Sequence, residues 1–126
     1  METISAKVIH GEKVGRTIGF PTANLDIQLT EEDLKPGVYL AKVTSDQDRS
    51  TIYNGLAYFG PRYIFGEQVN SFEVYLYDFE GDLYNQTLEI ALTDYLREPM
   101  NLDSIDKLRA QLELDKAEGL KLLQSH

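Results

Sequence analysis

The run from Gly11 to Leu25, Gly-Glu-Lys-Val-Gly-Arg-Thr-Ile-Gly-Phe-Pro-Thr-Ala-Asn-Leu, holds the residues of this chain best suited to chemistry. Gly11, Gly15 and Gly19 leave backbone N–H groups open to close approach by a ligand. Lys13 and Arg16 put positive charge in the same stretch, and Thr22 and Asn24 add neutral oxygens shortly after. Glycines, a cation and a hydroxyl in one neighbourhood suit a phosphate chain with its magnesium ion. The spacing is not that of a P-loop, which closes on Gly-Lys-Ser/Thr. Plainer readings use the same residues. The glycines serve equally as a turn cluster, Arg16 as a surface cation, and Thr22 and Asn24 as side chains bonding the backbone of a turn after Pro21.

Two further side chains stand out later. Glu73 sits between Phe72 and Val74 in an alternating stretch, opposite an apolar face, where a glutamate is ordinarily just solvated. Arg97 closes another such stretch and reads from its neighbours as a partner for Glu98 or Asp94.

Positioning these groups falls to a series of short strands. Residues 3–10 alternate Ile4, Ala6 and Val8 against polar neighbours, the pattern of a half-buried strand. Thr30 with Asp33 marks a short helical turn stopped by Lys35-Pro36-Gly37. Val38–Thr44 is rich in β-branched and aromatic residues, Ser45-Asp46-Gln47-Asp48 turns it back, and Thr51–Phe59 is the next strand, ended by Gly60-Pro61. Phe72, Val74 and Leu76 share one strand face. Glu80-Gly81-Asp82 then reads as a hairpin turn, with Leu88, Ile90 and Leu92 on the returning strand.

Beyond Pro99 the period changes. Asp103 is a candidate N-cap for a helix presenting Ile105, Leu108 and Leu112 as core contacts, with apolar residues through Leu123 and Gly119 bending it or dividing it in two. The Tyr75/Tyr77 pair reads as packing beneath that helix. The pattern predicts an all-β fold with a C-terminal α element: a small antiparallel barrel with an amphipathic terminal helix or helix pair packed on it.

Composition narrows the function classes. The 126 residues fit one domain, and no apolar run is long enough to span a bilayer. Absence of cysteine excludes disulfides and thiolate metal sites, and two histidines cannot build a histidine zinc site. Met1-Glu2-Thr3 lacks signal-peptide character, so the expected compartment is the cytoplasm. The net charge of −9, concentrated in residues 64–126, argues against a nucleic-acid surface. An acidic chain that binds a polyphosphate needs a metal ion and local cations to offset repulsion.

Laid out in order, these segments resemble the riboflavin kinase (flavokinase) family. Its signature is a glycine-rich loop running into Gly-Phe-Pro-Thr-Ala-Asn, matched by Gly19 to Asn24. Pro36-Gly37-Val38-Tyr39 is similar to its strand entry. Gly60, Arg62 and Phe65 are similar to its glycine-arginine-phenylalanine loop, and Phe72-Glu73-Val74 to the strand bearing its glutamate. Gly81-Asp82-Leu83-Tyr84 with Gln86 resembles its next hairpin, and Tyr95-Leu96-Arg97-Glu98 the end of the last strand. The likeness runs from about Ser5 into the last helix. Ser5, Tyr63-Ile64, Tyr75 and Asn85 depart from it, Asn85 standing where the family usually has glycine.

The resemblance implies residues 1–126 as a single riboflavin kinase-like domain, a six-stranded antiparallel Greek-key β-barrel with the terminal helix. The implied activity is ATP-dependent phosphorylation of riboflavin at its ribityl 5′-hydroxyl, giving FMN and ADP. In that scheme Glu73 is the general base and Thr22 and Asn24 meet Mg2+ and the phosphates. Gly11, Gly15 and Arg16 cover the nucleotide, and Arg97 and Glu98 lie near the flavin. The implied partners are small molecules rather than nucleic acid or membrane, with a monomer as the default. In many bacteria the module follows an FMN adenylyltransferase domain. Two other classes stay open on the residues: a flavin- or nucleotide-binding barrel acting as sensor or carrier without transfer, and an interaction domain using the acidic C-terminal half.

Overall fold

The structure, a computed structural model, describes residues 2–9, 22–61, 70–79 and 81–125. Among the described residues six strands form the framework: β1 (Thr3–Ile9), β2 (Ala23–Asp26), β3 (Gly37–Ser45), β4 (Asp48–Pro61), β5 (Asn70–Leu76) and β6 (Thr87–Arg97). One described helix follows, α1 (Ile105–Ser125). The strands close into an antiparallel barrel in the order β1-β2-β5-β4-β3-β6, so each has two neighbours and no edge is left open. Among the described residues no helix is long and apolar enough to cross a membrane.

Alternation does what the sequence predicts. Ile4, Ala6 and Val8 of β1, Phe72, Val74 and Leu76 of β5, and Leu88, Ile90 and Leu92 of β6 point into one buried core with Leu25, Ala41, Val43, Ala57 and Phe59. Glycine is required where β3 begins. Gly37 has φ +154, and a Cβ there would collide with the carbonyl of Arg97 and the ring of Tyr95. The predicted helical turn after Thr30 is one turn, held by the Asp33 and Leu34 N–H groups donating to the Thr30 carbonyl.

Two expectations are corrected. The segments before and after Gly81-Asp82 are not a hairpin pair: β5 lies between β2 and β4, whereas β6 lies between β3 and β1. Among the described residues between them, Phe79 and Leu83 pack against the core instead. Alternation assigns a face to each strand but says nothing about its neighbour, so a local glycine turn misled the pairing. The connection needs unusual backbone at Asp78 (φ 54) and Asn85 (φ 69). Asparagine tolerates this left-handed region better than most residues, which accounts for Asn85 at this position.

The second correction concerns α1, which is one continuous helix through Gly119. Its contact face is not led by Ile105, which is exposed, and Leu108 and Leu112 are only half-buried. Its two buried residues are Asp115 and Gly119, with Leu122 and Leu123 packed on an outer cluster of Val38, Leu40, Leu56 and Tyr77. Gly119 is there because the barrel comes too close for a side chain: a Cβ would strike the Tyr77 hydroxyl. That hydroxyl donates to the Lys116 carbonyl at 2.9 Å, and the Tyr75 and Tyr77 rings meet edge to face beneath the helix, as their spacing predicts.

Candidate active site

The site begins with a strand that sequence reasoning did not mark. Residues 23–26 form β2, which pairs with β1 on one side and with β5 on the other. Asn24 thereby stands directly opposite Glu73, and Ala23 opposite Val74. Directly opposed residues of an antiparallel pair share a face. Since Leu25 and Val74 fill the core, Asn24 and Glu73 both face outward.

Thr22, one residue before β2, completes the contact. Its Oγ1 donates to Glu73 Oε1 at 3.0 Å across 51 residues of sequence. The plainer reading, in which this hydroxyl bonds the backbone of a turn, does not describe it. Ser71 Oγ, on the same face of β5, donates to Glu73 Oε2 at 3.4 Å. The carboxylate thus has a hydroxyl on each oxygen. A hydroxyl that donates its proton keeps its lone pairs, so Thr22 Oγ1 can accept a cation on its other side while remaining bonded to Glu73.

The strand register carries the site further. Glu73 opposes Tyr58 of β4, Tyr58 opposes Val38 of β3, and Val38 opposes Arg97 of β6. Asn24, Glu73, Tyr58, Val38 and Arg97 therefore form one row across five strands on the outside of the barrel. At about 4.8 Å per strand, Arg97 lies roughly 14 Å along this row from Glu73. Just after β6, Pro99 lies near Gly60 and the Tyr58 hydroxyl. A register shift between Val38 and Tyr39 gives β6 an extra residue there, so Leu96 joins the outer cluster and Arg97 turns toward α1.

Arg97 ion-pairs with neither of the neighbouring carboxylates, Glu98 or Asp94, but with Asp115. Its Nε and Nη2 donate to Asp115 Oδ1 and Oδ2, both at 2.8 Å, and its Nη1 donates to the Glu98 carbonyl at 2.9 Å. The Glu98 side chain is exposed. Asp115 escaped the sequence reading although a signal existed: it falls in the apolar repeat of the helix, where a leucine is expected. Gly11, Gly15 and Arg16 lie outside the described residues, as do Tyr63 and Ile64. The chain leaves β1 at Ile9, which opposes Asn24, and returns at Thr22.

Chemically, the arrangement joins an oriented carboxylate to two neutral oxygen donors on one face. Hard oxygen donors of this kind suit magnesium, which keeps waters and phosphate oxygens as its other ligands. Among the described residues no cluster of three His, Cys, Asp or Glu could hold a metal ion by itself.

Comparison with known proteins bears on the same segments. A family model described as riboflavin kinase (flavokinase) matches residues 2–123. The chain is similar to the bifunctional riboflavin kinase/FMN adenylyltransferase of Haemophilus influenzae, at 38% identity over 112 residues, covering 89% of this chain and 35% of that protein. It is similar also to a solved structure described as a macrolide-efflux protein from Streptococcus pneumoniae, with TM-score 0.74 and 33% identity, covering 91% of this chain and 37% of that one. The riboflavin kinase of Trypanosoma brucei shares the fold, with TM-score 0.64 and 20% identity over 97% of this chain and 76% of that one. The chain spans about a third of the length of the bifunctional relatives it matches.

Proposed function

The chain belongs to the riboflavin kinase family, and from that premise we propose that residues 1–126 act as one kinase module, transferring the γ-phosphoryl group of ATP to the ribityl 5′-hydroxyl of riboflavin. The products are FMN and ADP. The observation that carries this reading is the Thr22–Glu73 hydrogen bond, with Asn24 in register beside it. It joins the oxygen donors suited to phosphate and metal to the carboxylate suited to the hydroxyl.

Phosphoryl transfer asks mainly for positioning and cancellation of charge. Glu73 accepts a hydrogen bond from the 5′-hydroxyl and takes its proton as the oxygen bonds to the γ-phosphorus. The bond from that phosphorus to the β,γ-bridging oxygen breaks, and ADP leaves. Thr22 and Ser71 hold the carboxylate in place for the hydroxyl. Thr22 and Asn24 would hold Mg2+, which neutralises charge on the phosphate oxygens. Neutral ligands suit a chain of net charge −9, which would otherwise repel ATP. Gly11, Gly15 and Arg16 are proposed to cover the nucleotide.

Arg97 and the chain after it are proposed for the flavin ring. Its distance along the row from Glu73 is comparable to the length of a tricyclic ring with its ribityl chain, and guanidinium N–H groups suit the ring's carbonyl acceptors. We place this module in the cytoplasm as a monomer, free of nucleic acid and membrane. The FMN it makes is by name the substrate of the adenylyltransferase activity that relatives such as the Haemophilus influenzae protein combine with the kinase.

The test is turnover by the purified chain. With riboflavin, ATP and magnesium it should release FMN and ADP in equal amounts, resolved by chromatography with flavin fluorescence. Tight flavin binding with no FMN across metals and pH would replace the kinase with a binding barrel. Failure to bind ADP, ATP or flavin at all would leave only an interaction domain.

A further inference from the structure

Asp115 is the buried carboxylate of the described residues, only 4% exposed, and it sits where a leucine would pack better. The face of α1 turned to the barrel runs Leu108, Leu112, Asp115, Gly119, Leu122 and Leu123, so the charge interrupts an otherwise apolar or small-residue stripe. Both carboxylate oxygens are used. Each accepts one fork of Arg97 at 2.8 Å, and Oδ1 also accepts Gln111 Nε2 at 3.0 Å. The Arg97 side chain is itself only 15% exposed.

Stability does not account for this pair. Taking two charges out of water costs about what their attraction returns, and an apolar pair of the same volume commonly does as well or better. What the bidentate fork does uniquely is fix the plane of the guanidinium. With Nε, one Nη2 proton and one Nη1 proton committed, two N–H groups remain, one on each terminal nitrogen, set in direction by Asp115. The β6 bulge that turns Arg97 toward the helix puts this fixed plane at the end of the row that starts at Glu73.

We infer that Asp115, supported by Gln111, is a positioning residue for flavin: it holds Arg97 so that the two remaining guanidinium N–H groups meet acceptor atoms of the ring. The helix thereby contributes to substrate affinity through a residue that never touches the substrate. The inference rests on the kinase reading above.

The experiment uses the full chain and FMN formation, titrating riboflavin at saturating Mg-ATP and ATP at saturating riboflavin. Asp115→Asn should raise the KM for riboflavin about tenfold, the loss expected from one charge-assisted hydrogen bond. kcat should stay within about twofold and the KM for ATP should not move. Arg97→Lys, which lacks the fork, should raise the same KM, and adding Asp115→Asn to it should cost nothing more, because the two act as a unit. Tyr77→Phe weakens docking of the same helix without touching Arg97, so it should lower Tm and leave the riboflavin KM unchanged.

If Asp115→Asn behaves like Tyr77→Phe, lowering Tm with an unmoved riboflavin KM, the pair is a docking clamp and the inference is overturned. Should that variant fail to fold, Gln111→Ala removes only the supporting bond. A riboflavin KM rise of a few-fold then supports the inference, and no rise overturns it. Absence of FMN from the unaltered chain would instead overturn the kinase reading, and the inference with it.

Discussion

Thr22 and Glu73, 51 residues apart in sequence, share a 3.0 Å hydrogen bond because a four-residue strand lies between β1 and β5. Without β2, Thr22 and the glutamate would have no reason to meet. The bond makes the carboxylate and the hydroxyl one unit, and the two should therefore fail in different ways when altered singly.

Glu73→Gln keeps the shape and still accepts from Thr22, but it cannot take a proton. It should lower kcat by about 10²–10⁴-fold, the usual contribution of a positioned base, with riboflavin and ATP KM values within a few-fold of the original. Steady-state kinetics checks this. An equal loss in kcat and in flavin affinity would move Glu73 from proton acceptor to binding contact.

Thr22→Ala removes an oxygen that is proposed to face the metal. The magnesium concentration for half-maximal rate should rise about tenfold, the scale seen when a residue supporting a metal is lost. Thr22→Ser, which keeps the oxygen, should restore it, and chelation of divalent ions should abolish FMN formation by either form. Identical magnesium curves for Thr22→Ala and the unaltered chain would remove Thr22 from the metal's surroundings.

Some of this was legible in the residues and some was not. Strands with three or more alternations, such as 3–9 and 87–97, declare their inward faces, whereas the terminal helix declares its period but not the residues that lead its contact. β2 does not, because four residues after a proline hold too few alternations to show a period. Pairing was illegible for a different reason: Gly81-Asp82 signals a local turn, while the fate of β5 is decided by β2 and β4 on either side of it. In the site, Glu73 looks like an ordinary solvated residue until register puts it beside Asn24. Arg97 looks like the partner of a near neighbour because a helix 18 residues away leaves no local trace. The trace that existed was Asp115 itself, a charge at an apolar position.

Gly119 tests the fit of helix and barrel with a sign opposite to intuition. In a free helix Gly→Ala stabilises by about 1 kcal/mol. Here the added methyl would strike the Tyr77 hydroxyl, itself held by the Lys116 carbonyl, so Gly119→Ala should destabilise by about 1–3 kcal/mol, as overpacking does. In a Tyr77→Phe background the obstructing oxygen is gone, and the same change should cost much less. Chemical denaturation of the four proteins gives the coupling. Additive effects would show that the helix shifts freely over the barrel.

The Tyr77 hydroxyl also sets an alkaline limit on the fold. Burial, then the nearby Tyr75 and Asp115, push its pKa well above the ordinary tyrosine value. The unfolded chain gives up this proton near pH 10, whereas the folded one keeps it. Above pH 10 the native state therefore binds one proton more than the unfolded state, and linkage makes stability fall as pH rises. The contribution is complete below pH 10 and is lost progressively on going upward toward the native value. Per proton the slope is about 1.4 kcal/mol per pH unit. The comparison that isolates the effect is with Tyr77→Phe. Its unfolding free energy should start lower at pH 8 by about 1 kcal/mol for the lost bond to Lys116, and then decline less steeply between pH 10 and 11.5. Urea midpoints across that range decide it. Parallel declines for the two proteins would mean that the hydroxyl ionises in place, with the helix still docked.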